Sequence, residues 1–303
     1  MVGVWDVAIP PTMVAMGLDY RLSNSRPVRE RNAGRGRTVE SVRAAPGTIR
    51  PMQDVLITAG ASGIGREMAQ AFVRAGARVA VLDVDAAALA ALRRELPAIV
   101  AETCDLADRG QVENVVPRLL DSLGGLDVLI NNAGIGGATA PLERVEPEEW
   151  DRVLRVNLGG TFDVTRLAIP ALKQSKRGCI INMSSAAGRL GYPQRSAYAT
   201  SKWGIVGLTK TLSMELGAFG IRVNAILPGP VAGERMQRVL EGRAAQSGRS
   251  LDEERVSALA NQSLKIFTEA SEIAALALFL ASDAARTISG QALSIDGDMH
   301  RSV

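Results

Sequence analysis

The sequence has few of the residues on which catalytic sites and covalent cross-links often depend. Among its 303 residues there is one histidine, His300, and there are two cysteines, Cys104 and Cys179. A lone histidine close to the C-terminus disfavours histidine-based catalysis. The cysteines lie in short apolar segments, which is more typical of buried free thiols than of a disulfide or a metal site. We therefore expect no metal.

Long hydrophobic runs and a strong overall charge are also missing. No apolar run reaches the ~18 residues that a membrane-spanning helix requires, and the richest, Ile273 to Ala281, predicts a core helix. Residues 1–51 carry eight arginines and four acidic residues, so their net positive charge is larger than the net charge of +3 of the whole chain. Since the rest is nearly neutral, we expect neither a nucleic-acid nor a membrane partner. Asp6 disfavours a secretion signal, and we expect a cytoplasmic protein.

Residues 1–52 differ in composition from the rest of the chain. This stretch has no sustained periodicity and contains five prolines and scattered arginines, a pattern typical of loops and disorder. Met52 stands directly before an apolar strand-like segment. Two interpretations stay open: a flexible N-terminal extension, or a start codon assigned too far upstream.

From residue 53 onward, short apolar segments alternate with longer amphipathic ones. Strands are predicted over 55–58, 78–82, 99–103, 126–131, 179–183, 223–227 and 292–295. Helices are predicted over 66–75, 86–95, 150–172 and 197–216, and another between the third and fourth strands. Such alternation indicates an α/β fold. We predict one Rossmann-type, doubly wound domain over 53–303, with a parallel sheet of about seven strands and helices on both faces.

Tyr198 and Lys202 form the most informative pair in the chain. Residues four apart lie on the same face of a helix, and a lysine ammonium near a phenol favours the ionised phenolate. Ser185 stands thirteen positions before the tyrosine, and its hydroxyl could hydrogen-bond a substrate oxygen. The three residue types together suit proton transfer between an alcohol and a carbonyl compound.

A glycine-rich turn joins the first predicted strand to the first predicted helix. It reads Thr58-Ala59-Gly60-Ala61-Ser62-Gly63-Ile64-Gly65. Glycines let a backbone approach a pyrophosphate closely, and the N–H groups of a helix N-terminus bind it. The position of the turn within a β-α-β unit therefore predicts a dinucleotide site.

Asp83 ends the second predicted strand, about 20 residues after the glycine turn. A carboxylate there can accept hydrogen bonds from the hydroxyls of the adenosine ribose. It would repel a 2′-phosphate, and neighbouring Ser62 and Val84 offer no cation to attract one. We predict NAD as the cofactor, with NADP as the less favoured alternative.

Asn131-Asn132-Ala133-Gly134 follows the fourth predicted strand. Together with the glycine turn and the Ser185, Tyr198 and Lys202 set, this motif makes residues 54–303 resemble the short-chain dehydrogenase/reductase family. The resemblance implies oxidoreduction of an alcohol/ketone pair, with Asn157, Ser185, Tyr198 and Lys202 as catalytic residues. It implies cofactor contacts at Gly60, Ser62, Gly63, Ile64, Gly65, Asp83, Asp105, Leu106, Asn131, Ala133, Gly134, Tyr198, Lys202, Pro228, Gly229 and Val231.

The resemblance also assigns individual roles. Tyr198 would be the general acid/base, Ser185 would polarise the substrate oxygen, and Asn157 would hold a water of the proton relay. Asp105 would contact the adenine, and Pro228-Gly229 would face the nicotinamide. Two of these residues also have a purely structural interpretation: Asn157 could be a surface residue and Asp105 a helix N-cap. Ser184 competes with Ser185, although the thirteen-residue spacing to the tyrosine favours the latter.

Two positions depart from the family pattern. Ala59 replaces the usual first glycine of the turn, which we expect to be tolerated if its φ is negative. Gly233 stands where many relatives have a threonine that bonds the carboxamide, so that contact is in doubt.

The segment 231–267 predicts a substrate lid. Its arginines, which include Arg235, Arg238 and Arg243, suggest an anionic or polyhydroxylated substrate, unless they are solvated and balanced by acidic neighbours. The alternatives in function are an NADP-dependent carbonyl (3-oxoacyl-type) reductase and a non-catalytic dinucleotide-binding protein. The resemblance further implies a homodimer or homotetramer.

Overall fold

A parallel sheet of seven strands forms the centre of the computed structural model, which describes residues 53–301. The expectations for residues 1–52 lie outside this part. The strands are Asp54–Thr58 (β1), Arg78–Asp83 (β2), Val100–Thr103 (β3), Val128–Asn131 (β4), Cys179–Met183 (β5), Arg222–Pro228 (β6) and Ala292–Ile295 (β7). Their order is β3-β2-β1-β4-β5-β6-β7, and the connections change direction between β1 and β4. The predicted fold class is confirmed, since this is a doubly wound sheet.

Nine α-helices accompany these strands in the described residues. They are Gly63–Arg74 (α1), Ala86–Glu95 (α2), Arg109–Leu123 (α3), Pro147–Leu154 (α4), Gly160–Gln174 (α5), Ser196–Leu216 (α6), Glu234–Ser247 (α7), Leu251–Leu259 (α8) and Ala270–Ala281 (α9). The first helix begins three residues before its predicted start, inside the glycine turn. The core helix predicted from Ile273 is part of α9.

Successive strand residues point to opposite faces of the sheet, and this builds two cores. Val55 and Ile57 of β1 pack with α1 and α9 on one face, while Leu56 packs with α3, α5 and α6 on the other. Because both faces are covered, the central strands β1 and β2 contain continuous apolar runs. The carboxyl ends of the strands remain as the edge where loops gather.

The long helix predicted over 150–172 is interrupted. A π-helical turn, Arg155–Gly159, separates α4 from α5. Adjacent Gly159 and Gly160 weaken the α-helical hydrogen bonding here, and a Cβ on Gly160 would lie 2.8 Å from Leu106 Cβ. Such π-turns are frequent at functional sites, and Asn157 lies in this one.

The segment predicted as a lid contains α7 and α8. Ser250 begins α8 with a capping box, in which its hydroxyl accepts from the Glu253 N–H and the Glu253 carboxylate accepts from the Ser250 N–H. Its role as a lid stays a prediction.

Both cysteines are free and buried, as predicted. Burial raises the pKa of Cys104 and of Cys179 to about 11, so both are protonated thiols at neutral pH. Over residues 53–301, no helix has the length and apolarity needed to cross a membrane. The same residues contain no cluster of histidine, cysteine and acidic side chains suited to a metal ion. The cytoplasmic location stays a prediction.

Candidate active site

The glycine turn between β1 and α1 has an unusual backbone. Ala59 has a φ of +50° and Gly63 a φ of +51°. The condition under which alanine was expected to be tolerated here, a negative φ, is therefore not met. A left-handed conformation costs an L-residue roughly 1–2 kcal/mol. Ala59 is held in this conformation because its carbonyl accepts a hydrogen bond from Asn132 Nδ2 (3.0 Å).

Two other glycines of the turn are required by packing. A Cβ on Gly60 would lie 2.6 Å from Val81 Cγ1, and a Cβ on Gly65 would lie 2.0 Å from the Ala59 carbonyl oxygen. Gly65 lets α1 begin directly against the turn, and Gly60 lets the turn lie on β2. Ile64, in the first turn of α1, packs against the core. The turn is thus held close to the sheet edge.

The N-terminus of α1 lacks a side-chain cap. Its N-cap residue, Ser62, makes no capping hydrogen bond, whereas Asp85 caps α2 and Asp108 caps α3. Uncapped N–H groups and the helix dipole favour an anion at this end. Ser62 and Gly63 are exposed, and no atom lies within 4 Å of a Cβ on Gly63. This open, uncapped turn fits a pyrophosphate.

Asp83, at the carboxyl end of β2, binds the same turn. One carboxylate oxygen accepts from the Ala61 N–H (3.0 Å) and the other from the Asp85 N–H (3.1 Å). A carboxylate can accept about four hydrogen bonds, so the buried Asp83 keeps capacity for a ligand hydroxyl. Sequence reasoning did not foresee that Asp83 also fixes the turn.

Asp105 and Leu106 follow β3. The Asp105 carboxylate accepts from the Ala107 N–H (2.8 Å), which makes an Asx turn. The cap of α3 is Asp108, so the N-cap alternative for Asp105 is wrong. Leu106 is buried, and its carbonyl accepts from Arg155 (3.3 Å). The loop is therefore tied to the π-turn.

Asn131, at the end of β4, lies in a buried polar chain. Its amide donates to Thr165 Oγ1 (2.9 Å) and to Asn182 Oδ1 (2.8 Å), and Asn182 donates to Thr209 Oγ1 (2.9 Å). The chain connects β4 and β5 to α5 and α6, which surround the candidate site.

Asn132, the second residue of the Asn131-Asn132-Ala133-Gly134 motif, joins the two halves of the site. Its side chain donates to the carbonyls of Thr58 (3.2 Å) and Ala59 (3.0 Å). In return, Thr58 Oγ1 accepts from the N–H groups of Asn132 and Ala133 (3.0 Å each). Its position in the motif next to Asn131 was the one sequence feature that could have indicated this.

Tyr198 and Lys202 lie one turn apart on α6, as their spacing predicts. Lys202 Nζ is 5.7 Å from the centre of the Tyr198 ring. The ammonium is buried and donates to the Met183 carbonyl at the end of β5 (2.8 Å). A Cβ on Gly134 would lie 3.2 Å from Lys202 Nζ, so a side chain there would crowd the lysine. The structure thus places Gly134, Lys202 and Tyr198 at one edge.

Asn157 is fully buried and is not a surface residue. Its Oδ1 accepts from the Ile135 N–H (2.7 Å), and its Nδ2 donates to the Ile135 carbonyl (3.0 Å) and to Ser201 Oγ (2.9 Å). Its own carbonyl accepts from Thr161 Oγ1 (2.8 Å). Asn157 thus ties the π-turn to the loop after β4 and to α6.

Ser184 and Ser185 have different surroundings. Ser184 is buried, and its hydroxyl donates to the Lys202 carbonyl (2.8 Å). Ser185 begins a 3₁₀ turn, Ala186–Gly188, and its hydroxyl oxygen accepts from the Ala187 N–H (3.2 Å). In that contact the Ser185 oxygen is the acceptor, so its O–H remains a donor. The O–H of Ser184 is already donated to the Lys202 carbonyl of α6.

Pro228 and Gly229 form the turn after β6. The Gly229 N–H donates to the Ile295 carbonyl (3.0 Å), and a Cβ on Gly229 would lie 2.8 Å from Asp296 Cα. Val231 then bridges to Thr268 across the base of the lid segment. Gly233 has a φ of +133° and begins α7 without a side-chain cap. A threonine would be strained at this backbone angle.

Arg238, Arg249 and Arg255 of the lid segment pair with acidic residues of the same segment. Arg238 lies 3.8 Å from Glu234, and both are exposed, which agrees with solvated, balanced charges. Arg195, just before α6, is different: its guanidinium lies 5.5 Å from the centre of the Tyr198 ring and 5.8 Å from that of Tyr192. Its Nη1 also donates to Thr139 Oγ1 (2.8 Å).

The fold and the candidate site together define a class. A glycine turn suited to a pyrophosphate, a carboxylate after β2 and a serine, tyrosine and lysine set meet at the carboxyl ends of parallel strands. This arrangement is that of a dinucleotide-dependent oxidoreductase.

Comparisons with known proteins support an oxidoreductase of this class. A family model described as enoyl-(acyl carrier protein) reductase matches residues 58–300. The 3-oxoacyl-(acyl-carrier-protein) reductase FabG of Thermotoga maritima is 36% identical over 248 residues, which cover 80% of this chain and 96% of that protein. The chain therefore belongs to the short-chain dehydrogenase/reductase family. It is an oxidoreductase of CH–OH and keto groups, which removes the non-catalytic alternative.

Two solved structures share the fold. A variant of actinorhodin polyketide ketoreductase with NADPH has a TM-score of 0.76 at 31% identity and covers 81% of this chain and 96% of its own. NAD⁺-bound xylitol dehydrogenase has a TM-score of 0.75 at 29% identity, with 81% and 98% covered. Similar proteins thus bind either cofactor, and similarity does not decide between them.

Proposed function

We propose that the protein interconverts a secondary alcohol and a ketone with NAD, and that Tyr198 is the general acid/base. The observation that carries this proposal is the position of Lys202, whose buried ammonium is anchored on Met183 and lies 5.7 Å from the centre of the Tyr198 ring. This contact places a cation beside the phenol that would exchange a proton with the substrate. The pair lies at the same sheet edge as the glycine turn, so acid/base and cofactor would meet.

The residues divide the work of the reaction. In alcohol oxidation, the phenolate oxygen of Tyr198 accepts the hydroxyl proton, and in reduction it returns one to the carbonyl oxygen. Ser185 donates its O–H to that same oxygen and holds it in place. Bound NAD supplies the hydride chemistry. Asn157 fixes Ile135 and Ser201 beside the tyrosine and would hold the relay water.

The chain also carries the residues that would hold the cofactor. The uncapped start of α1, with Ser62, Gly63 and Ile64, would bind the pyrophosphate. Asp83 would bind the adenosine ribose, and Asp105 and Leu106 would line the adenine side. Lys202 would bond the nicotinamide ribose. The backbones at Asn131, Ala133, Gly134, Pro228, Gly229 and Val231 would complete the cleft.

The preference for NAD rests on Asp83. Its carboxylate is buried beside the turn, where a 2′-phosphate would meet negative charge. In Asp83→Ala we expect the ratio of kcat/KM for NAD over NADP to fall by at least tenfold. Steady-state kinetics with both cofactors measures this ratio. A wild-type enzyme that prefers NADP would contradict the assignment.

The second candidate is an NADP-dependent carbonyl reductase. The 3-oxoacyl substrate in the name of the Thermotoga maritima relative and the NADPH in the ketoreductase structure favour it. Reduction of an acetoacetyl thioester with NADPH tests it directly. Faster turnover in that assay than with any alcohol and NAD would replace the first proposal with this one.

We infer that the substrate is a small polar alcohol. Arg195 and Tyr192 lie beside Tyr198, whereas Arg238 in α7 is paired with Glu234. The polar side chains beside the candidate catalytic tyrosine, Tyr192 and Arg195, therefore belong to the segment after Ser185. Profiling NAD reduction over sugars, polyols and hydroxy acids tests this inference, and turnover of neutral apolar alcohols alone would refute it.

We further propose a homodimer or homotetramer that uses α5 and α6. These helices expose large apolar side chains, including Phe162, Trp203 and Met214, and such patches mark protein interfaces. Light scattering after gel filtration should show more than one copy. A monomer at micromolar concentration would contradict this proposal.

A further inference from the structure

An ion pair connects the Ser185 turn to the C-terminal part of the chain. Arg189 directly follows the 3₁₀ turn that Ser185 begins. Its Nη2 donates to Asp296 Oδ2 (2.7 Å) and to the Met299 carbonyl (2.8 Å). The Asp296 side chain is only 3% exposed, whereas that of Arg189 is 36% exposed. Asp296 is thus a buried carboxylate whose positive partner comes from the turn of the candidate catalytic serine.

Asp296 also contacts the turn after β6. A Cβ on Gly229 would lie 2.8 Å from Asp296 Cα, and the Gly229 N–H is bonded to the neighbouring Ile295 carbonyl (3.0 Å). The ion pair therefore links the Ser185 turn to a segment that packs against the Pro228-Gly229 turn, which is predicted to face the nicotinamide.

The Ser185 turn has little freedom on its other side. A Cβ on Gly188 would lie 2.3 Å from Ser184 Oγ and 2.8 Å from the Lys202 carbonyl. The turn is therefore pressed against α6 at the level of Lys202, while Arg189 ties its end to Asp296. Loss of the ion pair would leave a buried, unpaired carboxylate and release one end of the turn.

We propose that Arg189 is a positioning residue of the reaction. Its ion pair with Asp296 holds Ser185 at a fixed place between α6 and the Pro228-Gly229 turn, and it acts through Ser185 without touching the substrate. This inference rests on the proposed role of Ser185. Displacement of a catalytic group by about 1 Å can lower a rate about 100-fold, so a modest loosening would be measurable.

A double-mutant cycle tests the proposal. The variants are Arg189→Gln, Ser185→Ala and their combination, assayed with the best alcohol of the panel and NAD. Arg189→Gln should lower kcat/KM at least tenfold, and Ser185→Ala about 100-fold or more. If Arg189 acts through Ser185, the combined variant should match Ser185→Ala within about twofold. Arg189→Lys, which keeps the charge without the planar fork, should lie between wild type and Arg189→Gln.

A readout without turnover guards against a merely structural effect. Amide hydrogen exchange over residues 185–189 should accelerate in Arg189→Gln. The matched control is Arg177→Gln: Arg177 and Asp127 form an ion pair of similar exposure (32% and 13%) beyond the opposite end of the sheet. This control should lower the melting temperature without changing kcat/KM or exchange over 185–189.

The measurements separate a failure of the positioning role of Arg189 from a failure of the proposed role of Ser185. Unchanged kcat/KM in Arg189→Gln, unchanged exchange over 185–189, or multiplying effects in the combined variant would overturn the positioning role alone. Full turnover by Ser185→Ala would overturn the proposed role of Ser185 together with it.

Discussion

The two ends of the parallel sheet use charged residues differently. At the amino end, Arg78 binds Asp54 through two hydrogen bonds (2.7 and 2.8 Å). Asp127 accepts from Ser175 Oγ (2.6 Å), Arg177 (3.1 Å) and the Asp54 N–H (3.1 Å). Each carboxylate is thus satisfied by the protein itself.

At the carboxyl end, hydrogen-bonding capacity is left over for a ligand. The N-terminus of α1 has no side-chain cap, Asp83 uses two of its acceptor positions on backbone N–H groups, and Ser185 keeps its O–H as a donor. A left-handed alanine, Ala59, is held there as well. One end of the sheet thus contributes stability, whereas the other gives up some stability for ligand binding, as strained positions at functional sites do.

The largest contrast is expected from glycine substitutions at the two ends. In Gly65→Ala the new Cβ would lie 2.0 Å from the Ala59 carbonyl oxygen, which forces the glycine turn away from α1. Overpacking of this kind costs about 1–3 kcal/mol, so NAD affinity should fall roughly 10- to 100-fold. Titration of NADH fluorescence measures the change.

The control for that substitution is Gly217→Ala, before β6 at the amino end. No atom lies within 4 Å of its Cβ position, and NADH affinity should stay at the wild-type value. Equal NADH affinity in the two variants would contradict the proposed difference between the two ends of the sheet.

A stability effect is expected at the amino end. Burial alone would raise the pKa of Asp127, but the hydrogen bonds from Arg177, Ser175 and the Asp54 N–H outweigh it and lower the pKa. A carboxylate with a lowered folded-state pKa stabilises the protein above its unfolded value of ~3.9, and this stabilisation is lost as the pH falls through the folded-state value.

Asp127→Asn should therefore lower the free energy of unfolding by about 2 kcal/mol at pH 7, with kcat/KM unchanged. The difference from wild type should shrink as the pH falls below about 4. Urea unfolding at pH 7 and at pH 3.5 measures it. A difference that stays constant with pH would show that the charge of Asp127 has no part in the stability.

The smallest effect is expected at Ala59. Glycine relieves the left-handed strain of roughly 1–2 kcal/mol, but its flexible unfolded state offsets about 0.4–1 kcal/mol of that gain. Ala59→Gly should therefore stabilise the protein by up to about 1 kcal/mol, with NAD affinity within twofold of wild type. Thermal unfolding measures the gain. A loss of stability would mean that the positive φ is not strained.

Much of the fold could be predicted because the alternation of apolar segments is regular. The central parallel strands are buried on both faces, so β1, β2 and β5 contain the continuous apolar runs Val55–Ile57, Val79–Leu82 and Cys179–Ile181. The break between α4 and α5 was missed because the backbone stays in a right-handed helical conformation on both sides of the π-turn, with no loop to mark it. The helices α7 and α8 were not distinguished within the polar lid segment.

The site was less predictable where it depends on distant contacts. The four-residue spacing of Tyr198 and Lys202 is local, and α6 preserves it. The φ of Ala59 could not be read from the turn, because it is fixed by Asn132, 73 residues away. The pairing of Arg189 with Asp296 spans 107 residues and leaves no local pattern.

The central claim, that the carboxyl end carries an acid/base tyrosine beside a bound cofactor, is tested most directly in Tyr198→Phe. This change removes one oxygen and keeps the ring, whose centre lies 5.7 Å from Lys202 Nζ and 5.5 Å from the Arg195 guanidinium. We expect kcat/KM to fall by about 10²- to 10⁴-fold, while NADH affinity by fluorescence titration and the melting temperature stay near wild type. Turnover within a few-fold of wild type would contradict the claim.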